Sequence, residues 1–250
     1  MKLRKILLIG MKNRIFAYLL VTIFTVRMMI LVSQQMELIS KTHVSELYMQ
    51  FSHVRYFALY YIPVFLIIVG MEDILNDYLI FSKFNNIDFW WKDKIKLLSL
   101  DTLLYVILLE IPIIILVIMH VEKLDILNAK SLVFIAVDLV IKYMIFLIVG
   151  LIFLFSSFVT KKQYIGFTAG FFAGAIDYIL MILHFDRYAV IVSGMMTQLI
   201  MSFNFSAVRF LLLSAIYIVY LVSLFIFLYC ASGEILKRID LYRGDLKLER

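Results

Sequence analysis

Long apolar segments alternate with short polar ones along this chain, and the apolar segments are long enough to cross a bilayer. A helix needs about 20 residues to span the roughly 30 Å of hydrocarbon. Five segments meet this length, and a sixth near the start of the chain is broken by Arg27. In chain order the six segments are 15–32, 56–76, 97–119, 132–159, 165–183 and 208–231. We therefore predict an all-α membrane protein with six transmembrane helices in a single domain, residues 1–250.

Lys and Arg residues are divided unevenly between the two sides on which the connecting segments alternate. One side carries 16 of the 24, the other side carries six, and Arg27 and Lys142 lie inside apolar segments. The richer side comprises segments 1–14, 71–96, 161–162 and 233–250. Because cytoplasmic connections hold the excess of positive charge, both termini are expected in the cytoplasm. The net charge of +6 is then explained by the Lys and Arg residues of the predicted cytoplasmic connections, and no nucleic-acid partner is expected.

The segments outside the spans differ in character. Residues 1–14 form an amphipathic pattern with basic flanks, which is typical of an interfacial helix on the inner leaflet. Residues 233–250 repeat an amphipathic pattern and are interpreted as a cytoplasmic tail. Residues 33–55 are interpreted as a polar external connection. Residues 187–207 are too polar for a span and too apolar for a solvated loop, so we predict two short external re-entrant helices there.

Glycine and proline mark positions of special packing within the spans. Gly166, Gly170 and Gly174 recur at four-residue steps on one face of the fifth segment, where they allow a neighbouring helix to approach closely. We interpret them as a helix-packing face. Pro63 and Pro112 each remove a backbone donor and are expected to kink the second and third spans.

Charged residues inside the apolar segments are the candidate functional positions, because an unpaired charge in lipid costs several kcal/mol. Asp138 and Lys142 are four residues apart on one helix face and can neutralise each other. Asp101 and Glu110 lie in the third segment. The candidate pathway or interface charges are Arg27, Asp138, Lys142 and Asp177. A pathway or subunit-interface role and a purely structural pairing both remain open for them.

The sequence lacks the motifs of several kinds of catalytic site. No glycine is followed by lysine, so there is no phosphate-binding loop, and no H-E-x-x-H metal motif occurs. The four histidines are scattered at the predicted external ends of spans, and a single cysteine, Cys230, cannot form an internal disulfide. We expect no catalytic residues, no bound metal and no cofactor in this chain.

The connection 72–94 is the longest one on the predicted cytoplasmic side. It contains aromatic residues spaced to share one face of a short helix, among charged residues. The candidate docking residues are Asp77, Tyr78, Phe81, Lys83 and Phe84. Trp90 and Trp91 follow where the chain re-enters the membrane, a depth that indole rings favour.

This layout resembles the permease subunits of type-two ABC exporters. In that family an N-terminal elbow helix precedes six spans, a coupling helix lies between spans two and three, and re-entrant helices precede the last span. The corresponding positions here are 1–14, 72–94 and 187–207. The stretch Ser82-Lys83-Phe84, followed by Phe89-Trp90-Trp91-Lys92, is also similar to small permeases encoded beside bacteriocin and toxic-peptide systems.

The resemblance implies a set of partners and a location. The expected complex contains two permease chains, a homodimer in preference to a heterodimer, and two copies of a separate ATPase subunit that binds ATP and Mg²⁺. It would lie in a bacterial cell membrane among lipids, and would export an amphipathic peptide or a small hydrophobic compound. Residues Asp77–Asn86 would insert into a groove on the ATPase, so this chain would not itself be an enzyme.

Two other functions compete with this one. A stand-alone secondary transporter could use the Asp138/Lys142 stripe, although that class usually shows inverted repeats with matching broken helices, and the two prolines lie in adjacent spans of the first half. A non-transporting immunity or regulatory membrane protein is the third possibility. The sequence does not identify the cargo.

Overall fold

The computed structural model consists of helices, with no strand among the residues that it describes. These are residues 18–27, 30, 43–71, 87–121, 126–185 and 190–238. The helices are α1 Tyr18–Arg27, α2 Val44–Phe51, α3 (Val54–Tyr56, a π-helical turn Phe57–Tyr61, and Ile62–Gly70), α4 Ile87–His120, α5 Ala129–Thr160, α6 Gln163–Ile182, α7 Gly194–Phe205 and α8 Ala207–Arg238.

Five helical stretches of the described chain are long and apolar enough to cross a membrane. They are Val44–Gly70, Trp90–His120, Ala129–Thr160, Gln163–Ile182 and Ala207–Ile235. Each overlaps one of the predicted segments after the first, and Val44–Gly70 begins well before the predicted 56–76. Helix α1 is too short to span within the described residues, so the six-span count and the cytoplasmic termini stay predictions. The proposed interfacial helix 1–14 lies outside the described residues.

Two helices extend beyond the predicted apolar segments. Helix α4 already begins at Ile87, so the last part of the predicted connection 72–94 is helical. Helix α8 continues to Arg238, into the predicted tail 233–250. A helix can continue past the point where charged residues interrupt its apolar pattern. Long charged side chains in its last turns can reach the membrane surface. Residues 72–86 and 239–250 lie outside the described residues.

Helix α2 corrects the interpretation of 33–55 as a polar connection in its described part, residues 43–55, while its external position stays a prediction. Four of its apolar side chains, Val44, Leu47, Tyr48 and Phe51, are buried. Their spacing of three and four residues is that of a helix face, and this was the signal to be found in the sequence. The backbone N–H of His43 donates to the Glu46 carboxylate at 3.3 Å, which closes a capping box at the start of the helix.

Helix α3 contains a π-helical turn, Phe57–Tyr61, immediately before Pro63. Proline has no N–H and its ring crowds the carbonyl four residues earlier, so the regular α-helical bonding cannot pass through this point. The wider turn is one way to accommodate that loss. The Tyr61 carbonyl oxygen accepts a hydrogen bond from the Tyr105 hydroxyl at 2.7 Å, which ties α3 to α4.

Helices α5 and α6 form a tight hairpin whose connection is Lys161-Lys162, with Lys161 in the left-handed conformation (φ 56°). Gly166 faces α5 so closely that a Cβ would lie 2.6 Å from the Phe153 carbonyl oxygen. A Cβ on Gly174 would lie 2.5 Å from Ile62 on α3. Gly170 is likewise buried, against Leu66 and Phe153. All three glycines therefore lie at helix contacts of α6, where any larger side chain would separate the helices.

Helix α5 lies at the centre of the described core and contacts α3, α4, α6, α7 and α8. Phe146 is fully buried and packs against the rings of Phe57, Phe65 and Tyr105 at centroid distances of 5.8, 5.2 and 5.0 Å. Nearer the start of α5, Phe134 packs 4.6 Å from the ring of Phe203 on α7. These contacts surround the polar groups that α5 carries into the core.

Candidate functional site

Four polar side chains meet inside the apolar core and form what we name the carboxylate–lysine cluster. Its members are Tyr48 on α2, Glu110 on α4, and Asp138 and Lys142 on α5. Their exposed fractions are between 0% and 3%, so none is solvated by the surrounding medium. Burying several ionisable groups at membrane depth is expensive and calls for partners within the cluster.

Lys142 is the centre of the cluster. Its Nζ lies 2.6 Å from Asp138 Oδ2, one helical turn earlier, and donates a short hydrogen bond to Glu110 Oε1. The Tyr48 hydroxyl donates to the other oxygen, Glu110 Oε2, at 3.2 Å. The ammonium also lies 5.1 Å from the centroid of the Tyr48 ring, within range of a cation–π contact. The predicted pairing of Asp138 with Lys142 is therefore present, together with two partners that the sequence did not reveal.

The two carboxyl groups are not equivalent. Glu110 accepts a hydrogen bond at each oxygen. Asp138 contacts the ammonium as an ion pair without good hydrogen-bond alignment, and neither of its oxygens accepts a hydrogen bond from the described residues. The Asp138 and Glu110 carboxyls also interact with each other across the shared lysine. Two acidic groups thus face one ammonium in a water-poor site.

Two cavities adjoin this region. A small one of about 10 Å³ touches Lys142 and is lined by Thr25, Tyr61 and Pro112 among others. That is about the space of one water molecule. A larger one of about 320 Å³ lies between α1, α3 and α4, and its lining is apolar apart from tyrosines. Only the small cavity touches the cluster, through Lys142, whereas the larger one is bordered by exposed residues such as Ile67 and Met71.

Asp177 on α6 is a second buried acid, with an exposed fraction of 0%. It accepts three backbone hydrogen bonds of 2.7 Å each, from Ile191 to Oδ1 and from Val192 and Gly194 to Oδ2. Gly194 begins α7, and Ser193 at the N-cap position makes no side-chain cap bond. The Asp177 carboxylate therefore takes the place of the missing cap and complements the positive end of the α7 dipole.

The segment 187–207 contains one helix, α7, among its described residues, where we predicted two short ones. One face of α7 is buried in the protein, including Met196, Leu199 and Phe203. Helix α7 contacts α2, α3, α5 and α8. Asp177 holds the turn before α7, so the polar break in this segment is compensated from another helix and not from its own residues.

The remaining candidate residues are not brought together with the cluster. Arg27 ends α1 with an exposed side chain, outside the buried group. Asp101 accepts a hydrogen bond from the Tyr18 hydroxyl at 3.2 Å, which holds α1 against α4. The predicted docking residues Asp77, Tyr78, Phe81, Lys83 and Phe84 lie outside the described residues. Pathway or interface roles for Arg27, Asp138, Lys142 and Asp177 stay predictions.

Trp90 and Trp91 are buried at the start of α4, each 3% exposed. Their rings lie 4.7 and 6.2 Å from the ring of Phe158 near the end of α5, both in edge-to-face geometry. The indoles therefore pack inside the protein, and not against lipid as their sequence position suggested. They fix the entry of α4 against the end of α5.

The described residues contain no group of three or more His, Cys, Asp or Glu side chains that could hold a metal ion. No protein-family model matches the chain, and no curated protein or solved structure matches it significantly.

Proposed function

We propose that this chain is the membrane-spanning subunit of an ATP-driven exporter of the type-two ABC class. It would work as a dimer with two copies of a separate ATPase and move an amphipathic peptide or lipid-soluble compound out of the cell. Closure of the ATPases on ATP would push on segment 72–94 and switch the permease pair from inward-open to outward-open.

The observation that supports this proposal is the position of α7 and its attachment to Asp177. A short helix, packed into the protein and placed between the fifth and last spans, is the arrangement expected where this class has external re-entrant helices. Asp177 secures its start with three backbone hydrogen bonds. An irregular segment at membrane depth needs such internal acceptors, because lipid supplies none.

The larger cavity supports a hydrophobic cargo. Its volume of about 320 Å³ is at the small end of ligand pockets, and it is lined mainly by apolar side chains of α1, α3 and α4. Among the described residues, its lining contains no Lys, Arg, Asp or Glu. A charged or strongly polar cargo would lose its hydration there without compensation.

The direct test is co-purification with a separate ABC ATPase subunit that is co-expressed with this chain. The double substitution of Tyr78 and Phe81 by Ala should leave membrane insertion intact, weaken ATPase capture and abolish ATP-dependent export. Tyr164→Ala is the matched control, because this exposed tyrosine lies beside the other predicted cytoplasmic turn. Wild-type capture and export by the double variant would contradict the proposal.

Topology is tested separately by cysteine accessibility in intact cells, in a background with Cys230 replaced. Single cysteines at positions 83 and 161 should resist an impermeant reagent, and cysteines at 41, 123 and 187 should react. Labelling at 83 or 161 would reverse the assigned orientation and remove segment 72–94 from the ATPase side.

The carboxylate–lysine cluster favours a second candidate, a secondary transporter driven by an ion gradient. Buried acidic residues in spans are the usual sites of proton and sodium coupling. The two candidates differ in their energy source. Transport that stops on ATP depletion with the proton gradient intact supports the exporter, and transport that stops with a protonophore at constant ATP supports the secondary transporter.

A further inference from the structure

Charge balance within the carboxylate–lysine cluster is incomplete. Glu110 and Asp138 contribute two potential negative charges, and Lys142 contributes one positive charge. With both acids ionised, the cluster would carry a net charge of minus one at 0–3% exposure. An uncompensated charge in such a site costs several kcal/mol even after relaxation, so it must be neutralised from elsewhere.

The groups around the cluster do not supply the missing positive charge within the described chain. Tyr48 on α2 and Tyr61 on α3 are neutral neighbours, and α7 has no ionisable side chain. On α1, Tyr18 is bonded to Asp101 and Arg27 is exposed. Arg55 on α3 is exposed, and α6 contains no Lys, Arg or His. On α8, Arg209 is exposed and Tyr217 faces Asp177. The cheapest compensation is therefore a proton on one of the two acids.

Hydrogen bonding indicates which of the two acids carries the compensating proton. Glu110 receives one donor at each oxygen, from Lys142 and Tyr48, so both of its acceptor atoms are satisfied. Asp138 is fully buried and accepts no aligned hydrogen bond from the described residues. A carboxylate whose one close donor is poorly aligned and shared with Glu110 is unfavourable in such a site, whereas a neutral carboxylic acid is better tolerated.

We propose that the cluster is a buried proton-binding site, in which Asp138 is the neutral acid and Glu110 with Lys142 forms the ion pair. The bound proton is the ligand, and the small cavity that touches Lys142 has about the volume of one water molecule. This inference does not depend on ATP-driven export. It concerns the protonation state of the purified chain alone.

Infrared spectroscopy of the purified protein in lipid nanodiscs at neutral pH measures this directly, through the C=O stretch of protonated carboxyl groups. The wild type should show one buried protonated carboxyl, and ¹³C labelling of aspartate side chains should shift its band. Asp138→Asn should remove the band. Glu110→Gln should also remove it, because Asp138 and Lys142 then balance each other as ions.

In Lys142→Met no cation remains in the cluster, so both acids should be protonated. The intensity of the band should then rise to that of two carboxyl groups. Asp93→Asn, on the exposed part of α4, is the matched control and should leave the band unchanged. The proposal is overturned if the wild type lacks the band, if the band survives in Glu110→Gln, or if glutamate labelling and not aspartate labelling shifts it. If Lys142→Met does not fold, the spectra of the wild type, Asp138→Asn and Glu110→Gln are sufficient to test the proposal.

Discussion

Asp177 on α6 and Asp138 on α5 are both fully buried aspartates within long apolar helices, yet their surroundings differ. Asp177 accepts three backbone N–H groups at the start of α7. Among the described residues, Asp138 contacts the ammonium of Lys142, which it shares with Glu110, and interacts with the Glu110 carboxyl itself. Backbone donors are permanent and fixed in position, whereas side-chain partners can move or change protonation state.

The difference separates two uses of a buried acid. At Asp177 the carboxylate satisfies a helix end, so its charge is part of the fold. In the carboxylate–lysine cluster the number of acids exceeds the number of cations, so the charge is adjustable. The same residue type in two neighbouring spans therefore serves as a structural anchor in one and as a titratable group in the other. Variants at the two sites should respond differently.

The largest loss is expected for Lys142→Ala. Both acids lose their common cation, and breaking a buried ion pair from one side costs about 3–5 kcal/mol. Reversible unfolding in mixed micelles with increasing SDS measures the change in the free energy of unfolding. Lys96→Ala, at an exposed pair with Asp93, is the control and should change it by less than about 1 kcal/mol. Equal losses in both variants would contradict a central role for Lys142.

Asp177→Ala should destabilise the protein by about 3 kcal/mol, because three N–H groups lose their acceptor at the low end of about 1–3 kcal/mol each. The low end applies because the Ile191 bond is only part-buried. The loss should be local to α7. Limited proteolysis between 186 and 194 should accelerate, while Asp93→Ala should leave it unchanged. Intact protection of this segment in the Asp177 variant would show that the carboxylate does not anchor α7.

Tyr48→Phe tests the contribution of α2 to the cluster. The variant removes one hydrogen bond to a charged acceptor and keeps the ring over Lys142, so about 1–2 kcal/mol should be lost in the same unfolding assay. Tyr164→Phe, at an exposed tyrosine, should be neutral. No difference between the two would indicate that Tyr48 serves only to fill space.

The smallest effect is expected for Asp138→Asn. If Asp138 is a neutral acid, the amide replaces it with similar shape and leaves the Glu110–Lys142 pair intact, so stability should change by less than about 1 kcal/mol. Asp138→Ala in a Lys142→Ala background should also cost less than in the wild type, as expected for coupled neighbours. A loss of several kcal/mol for Asp138→Asn would mean that the ionised form holds the fold together.

The helices could be predicted from the sequence because apolar segments of span length have few alternatives. The turn at Lys161-Lys162 was predictable for the same reason, since it is the one polar break between two long apolar segments. Asp138 and Lys142 pair within one helix, so their spacing was sufficient. Glu110 lies 32 residues from Lys142 and could be placed only by the packing of α4 on α5.

Two features were missed for different reasons. The apolar residues of helix α2 have a clear three-and-four spacing, but polar neighbours obscured this pattern. Tyr48 was therefore not predicted to be buried. Asp177 bonds to the backbone of residues 14 to 17 positions later, and a backbone donor leaves no trace in the sequence pattern. The polar break at 193–194 was visible, but the residue that compensates it was not. Local periodicity therefore predicts elements, whereas charge partners depend on tertiary contacts.

The packing of the two tryptophans gives the protein a built-in optical reporter. The chain has only Trp90 and Trp91, so all indole emission arises from the junction between the start of α4 and the end of α5. Both rings are shielded from solvent dipoles, which holds the emission at short wavelengths. Any event that pulls the start of α4 away from Phe158 lets water reach the rings and shifts the spectrum to the red. A stopped-flow trace could therefore time movements at this junction without any added label.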